Sequence, residues 1–249
     1  MSRPPARTIV VSLAATALLA AASGSWAQET LAAKLDASGM IRVMRGDVEL
    51  AMIELNAHGP EWTHAPQASA TAEVSDLPGQ AGKRFVGTLP IPNTNGGAIR
   101  FTESVKPLPQ GVQLEYALSM TAAMRLNGLQ LSICLPVAQY AGKEAVVSQP
   151  DAESQIVGLP QEQQEQRFVL WTGEGAKVEV APGTTDAATM ELRAPTDVVI
   201  QDLRPWDRPT FEVRFPAIME DPGRDVAAED EFHLDLTVTF AAPVTLEGP

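Results

Sequence analysis

The chain has 249 residues, and 31 acidic against 18 basic residues give it a formal net charge of −13. A surface this acidic repels phosphates and anionic headgroups, so we expect no nucleic-acid partner and no electrostatic attraction to lipid. Cys134 is the only cysteine, so no intrachain disulfide can form. Stability must therefore come from burial of apolar surface, and 222 residues remain for a core once the N-terminal segment described next is set aside.

The N-terminus has the features of an export signal. Arg3 and Arg7 precede an apolar run over residues 8–22, and Ser25-Trp26-Ala27 is a small-residue exit of the kind that signal peptidase cleaves. The run is too short to span a bilayer, so the sequence predicts no membrane anchor. We expect residues 1–27 to be removed, which changes the net charge to −15, and the mature protein to be periplasmic or secreted.

Beyond the signal, apolar and polar residues alternate with a period of two, which is typical of half-buried β-strands. In chain order, strands are predicted over residues 41–44, 48–56, 84–89, 99–106, 112–120, 129–135, 167–171, 177–180, 188–193, 197–203, 211–215 and 232–240. Helix signals are weak. The pattern predicts an all-β fold, a large antiparallel β-sandwich of jelly-roll or supersandwich type, formed by residues 28–249 as a single domain. Two smaller sandwiches are the alternative.

Glycine, proline and asparagine mark the predicted connections. Residues 99–106 and 112–120 should form a hairpin around a Pro- and Gly-containing turn. Asn127-Gly128 is the two-residue signal of a type I′ turn and predicts a second tight hairpin. Longer loops are predicted over residues 57–77, 151–166 and 217–230.

Two of the three histidines lie close together, at His58 and His64, with Glu61 midway between them. Imidazoles and a carboxylate are good ligands for zinc or a similar divalent ion, so these three residues are the candidate metal ligands. Metal-binding histidine pairs are usually aligned by a helix or a strand, whereas Gly59 and Pro60 impose an irregular loop here. We therefore favour an ordinary structural loop without a metal.

A second candidate site follows the predicted strand at residues 197–203. Its acids and guanidinium groups alternate beside a tryptophan and could hydrogen-bond sugar hydroxyls while the ring stacks on a pyranose face. The alternative is a structural corner in which the arginines pair with the aspartates. Of two further tryptophans, one lies between His58 and His64 and the other lies where a predicted strand enters a turn. The candidate ligand-binding residues are Trp62, Trp171, Asp202, Arg204, Trp206, Asp207 and Arg208.

Three segments carry a resemblance to a known group. They are LNGLQLSICLPVAQYAGK at residues 126–143, RFVLWTG at 167–173 and EFHLDLTVTF at 231–240. Their texture resembles large secreted β-sandwiches that accompany bacterial carbohydrate metabolism, and is most similar to the galactose-mutarotase-like supersandwich. The resemblance implies an architecture and a sugar context. Epimerases of that group use paired histidines and a glutamate in the cleft, and the resemblance assigns neither role to a residue of this chain.

No catalytic motif is present: the sequence has no G-x-S-x-G elbow, no phosphate-binding glycine loop and no recognisable Ser/His/Asp order. We therefore assign no catalytic residue and expect no cofactor. The favoured function is non-catalytic binding of a carbohydrate or another envelope component. The alternatives are a sugar-active enzyme, hydrolase or epimerase, that uses carboxylates in a cleft, and a structural protein of the envelope.

Overall fold

The structure, a computed structural model, describes residues 29–149 and 152–249, so the predicted signal at residues 1–27 and the start of the loop predicted at 151 lie outside the described residues. The strands of the described part are β1 Leu31–Leu35, β2 Ile41–Arg45, β3 Val48–His58, β4 His64–Pro66, β5 Thr71–Asp76, β6 Lys83–Pro90, β7 Ala98–Leu108, β8 Gly111–Met120, β9 Met124–Pro136, β10 Glu144–Ser148, β11 Gln155–Gly158, β12 Val169–Val180, β13 Ala188–Asp202, β14 Thr210–Val226, β15 Glu231–Phe240 and β16 Val244–Glu247. The one α-helix there, α1, is Val137–Tyr140, and short 3-10 turns cover Pro60–Trp62, Gln67–Ser69 and Arg204–Trp206. None of these helices could cross a membrane.

Twelve of the strands form a hydrogen-bonded path in the order β16-β1-β2-β3-β9-β14-β13-β15-β8-β7-β6-β5. Strand β4 pairs with β3, and β12, β10 and β11 branch from β13. Strand β13 joins the two halves of the path, because residues 188–192 pair with β15 and residues 199–202 pair with β14. The sheet therefore curls, and apolar side chains from both halves pack into one cluster. Nearly all pairings are antiparallel, and β1 with β16 is parallel. This architecture confirms the predicted all-β sandwich.

The core follows the predicted alternation. Leu236 and Val238 of β15 are fully buried, and so are the five alternate apolar residues of β8. Phe232 and Leu234, at the start of β15, are only partly buried against the core. A fully buried side chain of this size contributes about 1.5–3 kcal/mol by leaving water. The predicted hairpin of β7 and β8 is also confirmed, with Ile99 opposite Met120 at one end of the ladder.

The predicted type I′ turn at Asn127-Gly128 is wrong. Both residues lie inside β9, and Gly128 faces His58 of β3 on one side and Met219 of β14 on the other. Here the glycine serves a close approach and makes no turn, because a Cβ at this position would lie 2.9 Å from Cδ2 of His58. The local turn signal was overridden by pairing with two distant strands.

The predicted loops are also shorter than expected. Residues 57–77 contain β4 and β5, the described part of 151–166 contains β11, and most of 217–230 belongs to β14, whose ladder with β9 resumes after an irregularity between Met219 and Arg224. The strands predicted separately at 167–171 and 177–180 form the single strand β12, as those at 188–193 and 197–203 form β13. A register shift after Gly175 accommodates the interruption in the sequence pattern.

Candidate functional site

The outward faces of three neighbouring strands carry a buried polar surface. On this face of β3, β9 and β14 lie the buried or half-buried residues Glu54, Asn56, His58, Gln130, Ser132, Glu212 and Arg214. The alternation of β14 predicts that Glu212 and Arg214 face water, yet Glu212 is 1% exposed and its Oε2 accepts a hydrogen bond of 2.6 Å from Nε of Arg214. That expectation fails because other segments of the chain lie over this part of the sheet.

A cavity of about 630 Å³ opens over this surface. Three partly exposed aromatic rings, Trp62, Phe168 and Trp206, help to line it. Phe168 meets Trp206 edge to face, with ring centroids 5.1 Å apart, and Trp62 meets the ring of His58 at 5.5 Å. Trp206 is 53% exposed. Rings left this open at the wall of a concave site are available to stack on a ligand.

His58 and His64 stand side by side at one end of the cavity. They are the last residue of β3 and the first of β4, they face each other in that ladder, and their rings stack at 5.3 Å. The sequence predicts an irregular loop for both histidines. In the structure only the turn between them is irregular, with positive φ at Glu61 and Trp62. Strand pairing therefore fixes the two imidazoles in a defined relative position.

Hydrogen bonds fix the tautomer of His64. Asn56 Nδ2 donates to Glu54 Oε1 at 3.1 Å, which leaves Asn56 Oδ1 to accept from His64 Nε2 at 2.8 Å. With its proton on Nε2, His64 presents Nδ1 as a proton acceptor. His58 is held differently: Gln130 Nε2 donates to its Nε2 at 3.2 Å, and its Nδ1 donates weakly to the carbonyl of Trp62 at 3.4 Å.

Burial and nearby positive charge keep both imidazoles neutral. Burial, and then the guanidinium of Arg214, lower the pKa of His58 to about 4. Burial and the charge of Arg208 lower the pKa of His64 as well. Burial also raises the pKa of Glu54, the carboxyl nearest to Arg208. The cavity thus combines neutral hydrogen-bonding rings with cationic groups.

Two guanidinium groups supply that positive charge. Arg214 rises from β14 and Arg208 follows the 3-10 turn Arg204–Trp206, and both line the cavity. Arg208 Nη2 lies 3.7 Å from Sγ of Cys134 and 3.9 Å from Oε1 of Glu54. Burial raises the pKa of the Cys134 thiol, which disfavours the reactive thiolate.

The structure brings together only some of the ligand-binding candidates. Trp62, Trp206 and Arg208 share the cavity. Asp202 and Arg204 instead form a buried ion pair, with Arg204 Nη2 2.6 Å from Oδ2, as the structural-corner alternative predicts. Arg208, which that alternative also paired with an aspartate, approaches Glu54 instead. Asp207 is exposed in the left-handed region, with φ 58°.

Trp171 belongs to a different place. It lies within β12, not where a strand enters a turn, and it lines a separate depression of about 480 Å³ with Arg167 and Gln161. This position contradicts its predicted place at a strand end, because residues 172–175 continue the ladder with β13.

Sequence reasoning missed several residues of the site, above all Arg214, Gln130 and Phe168. The available signal was the row of polar side chains at alternate positions of β3, β9 and β14. That row becomes a surface only through the strand order, which no local pattern contains. In the described residues, no group of three or more His, Cys, Asp or Glu side chains has the arrangement of a metal site. The absence of a metal at His58, Glu61 and His64 stays a prediction.

Comparison with known proteins gives fold neighbours only. No protein-family model matches the sequence, and neither does any curated protein. A galactose mutarotase related enzyme from Lactobacillus acidophilus is similar in structure over 84% of this chain and 93% of its own, at 9% identity and a TM-score of 0.49. A 4-alpha-glucanotransferase from Thermococcus litoralis is similar over 79% of this chain and 28% of its own, at 10% identity and a TM-score of 0.43. Both are structural similarities at low sequence identity, and they assign no role to this chain.

Proposed function

We propose that this protein binds a carbohydrate in the cavity over β3, β9 and β14. The observation that carries the proposal is the combination of exposed aromatic rings with a hydrogen-bonding floor. Sugars present flat C–H faces and a rim of hydroxyls, so a site for them needs both kinds of group. A volume of about 630 Å³ lies within the usual range for small-ligand sites and suits one or two sugar rings.

The cavity supplies donors and acceptors for hydroxyl groups without needing a metal. Nδ1 of His64 accepts, the guanidinium groups of Arg208 and Arg214 donate, and the amide of Gln201 can do both. Trp206 and Trp62 offer ring faces at the rim. We infer that binding takes place outside the cytoplasm, which follows from the export signal expected at residues 1–27.

Isothermal titration calorimetry against a panel of mono- and disaccharides, guided by a glycan array, tests the proposal. Trp206→Ala should weaken binding by about tenfold or more, since it removes a stacking surface. Trp171→Ala is the matched control, because that tryptophan lines the other depression. Loss of binding in Trp171→Ala alone would show that the ligand binds in that depression and not in the cavity. No binding to any saccharide would contradict the proposal and favour a structural role.

The neutral imidazoles support a second function, proton transfer on a bound sugar as in an epimerase. His64 has a free Nδ1, and the Glu54–Asn56 pair holds its ring in place, which is how a general base is oriented. Glu54 and Glu212 are buried beneath the floor, so this arrangement favours imidazoles over the carboxylates expected from the sequence. Polarimetry of freshly dissolved aldoses tests it: His64→Gln should abolish any acceleration, and an unchanged rate would exclude this role.

A further inference from the structure

The arginines of this region differ in how many of their donors are used. Arg204 uses all three guanidinium nitrogens: its Nε and Nη2 bond the carboxylate of Asp202, and its Nη groups also bond the carbonyls of Gln161 and Pro160. Arg214 uses only Nε, on Glu212. Within residues 29–149 and 152–249, its two Nη groups have no hydrogen-bond partner, although they belong to a side chain that lines the cavity.

Arg208 is also incompletely paired. Among the described residues, its guanidinium group contacts only Glu54, at 3.9 Å, and the Cys134 thiol, at 3.7 Å. Neither is a charge-assisted hydrogen bond of ordinary length. Two guanidinium groups with free donors therefore border the same cavity.

The surroundings offset only part of this charge. Glu212 pairs with Arg214, whereas the carboxyl nearest to Arg208 is Glu54 at 3.9 Å, whose pKa is raised by burial. After burial, Arg214 and Arg208 also contribute to the lowered pKa values of His58 and His64. A positive site in a chain with 31 acids and 18 bases is a local exception.

We propose that the bound sugar carries a carboxylate, as in a hexuronic acid, and that Arg208 and Arg214 recognise it. This inference rests on the proposed carbohydrate binding. A guanidinium group offers two parallel N–H donors that match the two oxygens of a carboxylate, and the pairing gains strength in a site walled by aromatic rings. The sugar ring then lies against Trp62 or Trp206, with its carboxylate over the floor.

The test compares matched ligands by isothermal titration calorimetry at pH 7 and 0.15 M salt. Glucuronate, galacturonate and mannuronate are each compared with the neutral hexose of the same configuration, and glucose 6-phosphate is included. We expect the uronates to bind at least about tenfold more tightly than the hexoses, the size of one charge-assisted pair. Arg208→Gln should bring this ratio close to one.

Arg214→Lys is the second variant, because it keeps a charge beside Glu212 and removes only the two-pronged donor geometry. It should also reduce the preference for uronates. Arg100→Gln is the control: this arginine is exposed, is 3.5 Å from Glu229 and lies outside the cavity, so the preference should persist.

Each alternative outcome is informative. Equal affinity for hexoses and uronates would overturn the inference while carbohydrate binding stands. Tighter binding of glucose 6-phosphate than of any uronate would overturn the inference and show that the site recognises a phosphate instead of a carboxylate. A preference that survives both Arg208→Gln and Arg214→Lys would show that other groups recognise the acid. No binding of any saccharide would remove the proposed function and this inference together.

Discussion

Two buried polar clusters lie in different parts of this sandwich. The outer cluster, on β3, β9 and β14, contains Glu54, Glu212 and two arginines and opens into the cavity. The inner cluster lies in the core between the layers and consists of Gln67, Glu103 and Tyr116, all fully buried. Both contain carboxyl groups, but only the outer cluster contains cations.

The inner cluster shows what a sealed core does with a carboxyl group. Gln67 Nε2 donates to Glu103 Oε2 at 2.7 Å, while Oε1 of Glu103 has no partner in the described residues. Burial raises the pKa of Glu103 to about 8, so the group is held as an uncharged acid. Gln67 also accepts from the backbone N–H of Leu55 and from the hydroxyl of Tyr116, which ties the Gln67–Ser69 turn to both layers. This cluster has no opening for a ligand.

The difference between the clusters shows how a structural role of a buried polar group can be told from a role in binding. A carboxyl without a cation becomes neutral and serves as a structural hydrogen-bonding group, whereas charged groups persist where a cavity lets solvent or a ligand share them. We therefore expect the stability of the outer cluster to depend on its charges and that of the inner cluster on its neutral carboxyl group.

The largest effect is expected from Arg214→Met. Removing the guanidinium leaves Glu212 buried without its partner, which should lower the free energy of unfolding by about 3–5 kcal/mol. Arg125→Met is the control, since it breaks a fully exposed pair with Asp225 and should leave the free energy of unfolding nearly unchanged. Urea denaturation at pH 7 measures both. Similar losses in the two variants would mean that Glu212 is not effectively buried.

Glu103→Gln should change the pH dependence of stability. A carboxyl whose folded pKa is raised stabilises the fold fully below its unfolded pKa of 4.5, and this stability is lost as the pH rises through about 8. The free energy of unfolding of the wild type should therefore fall by on the order of 3 kcal/mol across this pH range relative to that of Glu103→Gln, which cannot ionise.

Urea denaturation of both proteins at pH 5, 6.5 and 8 gives the comparison. Parallel pH curves would show that Glu103 ionises freely and that the core is not sealed around it. Glu115→Gln, on the outward face of β8 and paired with Lys106, serves as a control that should not produce the divergence.

The sequence predicts much of the fold but less of the site. Period-two alternation identifies most strands because it reflects burial of one face, and it also places Glu103 between the core residues Phe101 and Val105, a polar residue at an apolar position. It also locates the neighbourhoods of His58 and Trp206 separately. It cannot show that they share a cavity, because that depends on β9 pairing with both β3 and β14.

The failure at Asn127-Gly128 has the same cause. Local turn chemistry favours a hairpin there, but pairing on both sides outweighs it, since every ladder bond of β9 would be lost by turning. Arg214 shows that alternation also fails to predict whether an outward-facing residue is covered. Alternation places it on the outward face, but whether water or protein covers that face depends on segments that carry Phe168 and Trp206, and these come from elsewhere in the chain.

Gly128→Ala should perturb the outer cluster with a smaller loss of stability. The added Cβ meets Cδ2 of His58 at 2.9 Å and Oε1 of Gln130 at 3.1 Å, so both side chains must shift, at a cost of about 1–3 kcal/mol. Ligand affinity should fall as well. Gly158→Ala is the matched control, because no atom lies within 4 Å of its added Cβ. Thermal unfolding and calorimetry measure both effects, and unchanged binding in Gly128→Ala would place His58 outside the binding surface.

The smallest expected effect is the pH response of His58, and its sign is opposite to that of Glu103. The folded pKa of His58, about 4, lies below its ordinary value of 6.5, so the unfolded chain binds the proton more readily. Stability is therefore present above pH 6.5 and falls as the pH drops towards 4, by about 1 kcal/mol after allowance for the partial exposure of the ring. His58→Gln should flatten this decline relative to wild type in urea denaturation at pH 7, 5.5 and 4.5. Coincident curves would mean that the ring takes up a proton as readily in the folded protein as in the unfolded chain. An anionic ligand beside Arg214 should reduce the same decline, because its charge offsets the guanidinium that opposes protonation of His58.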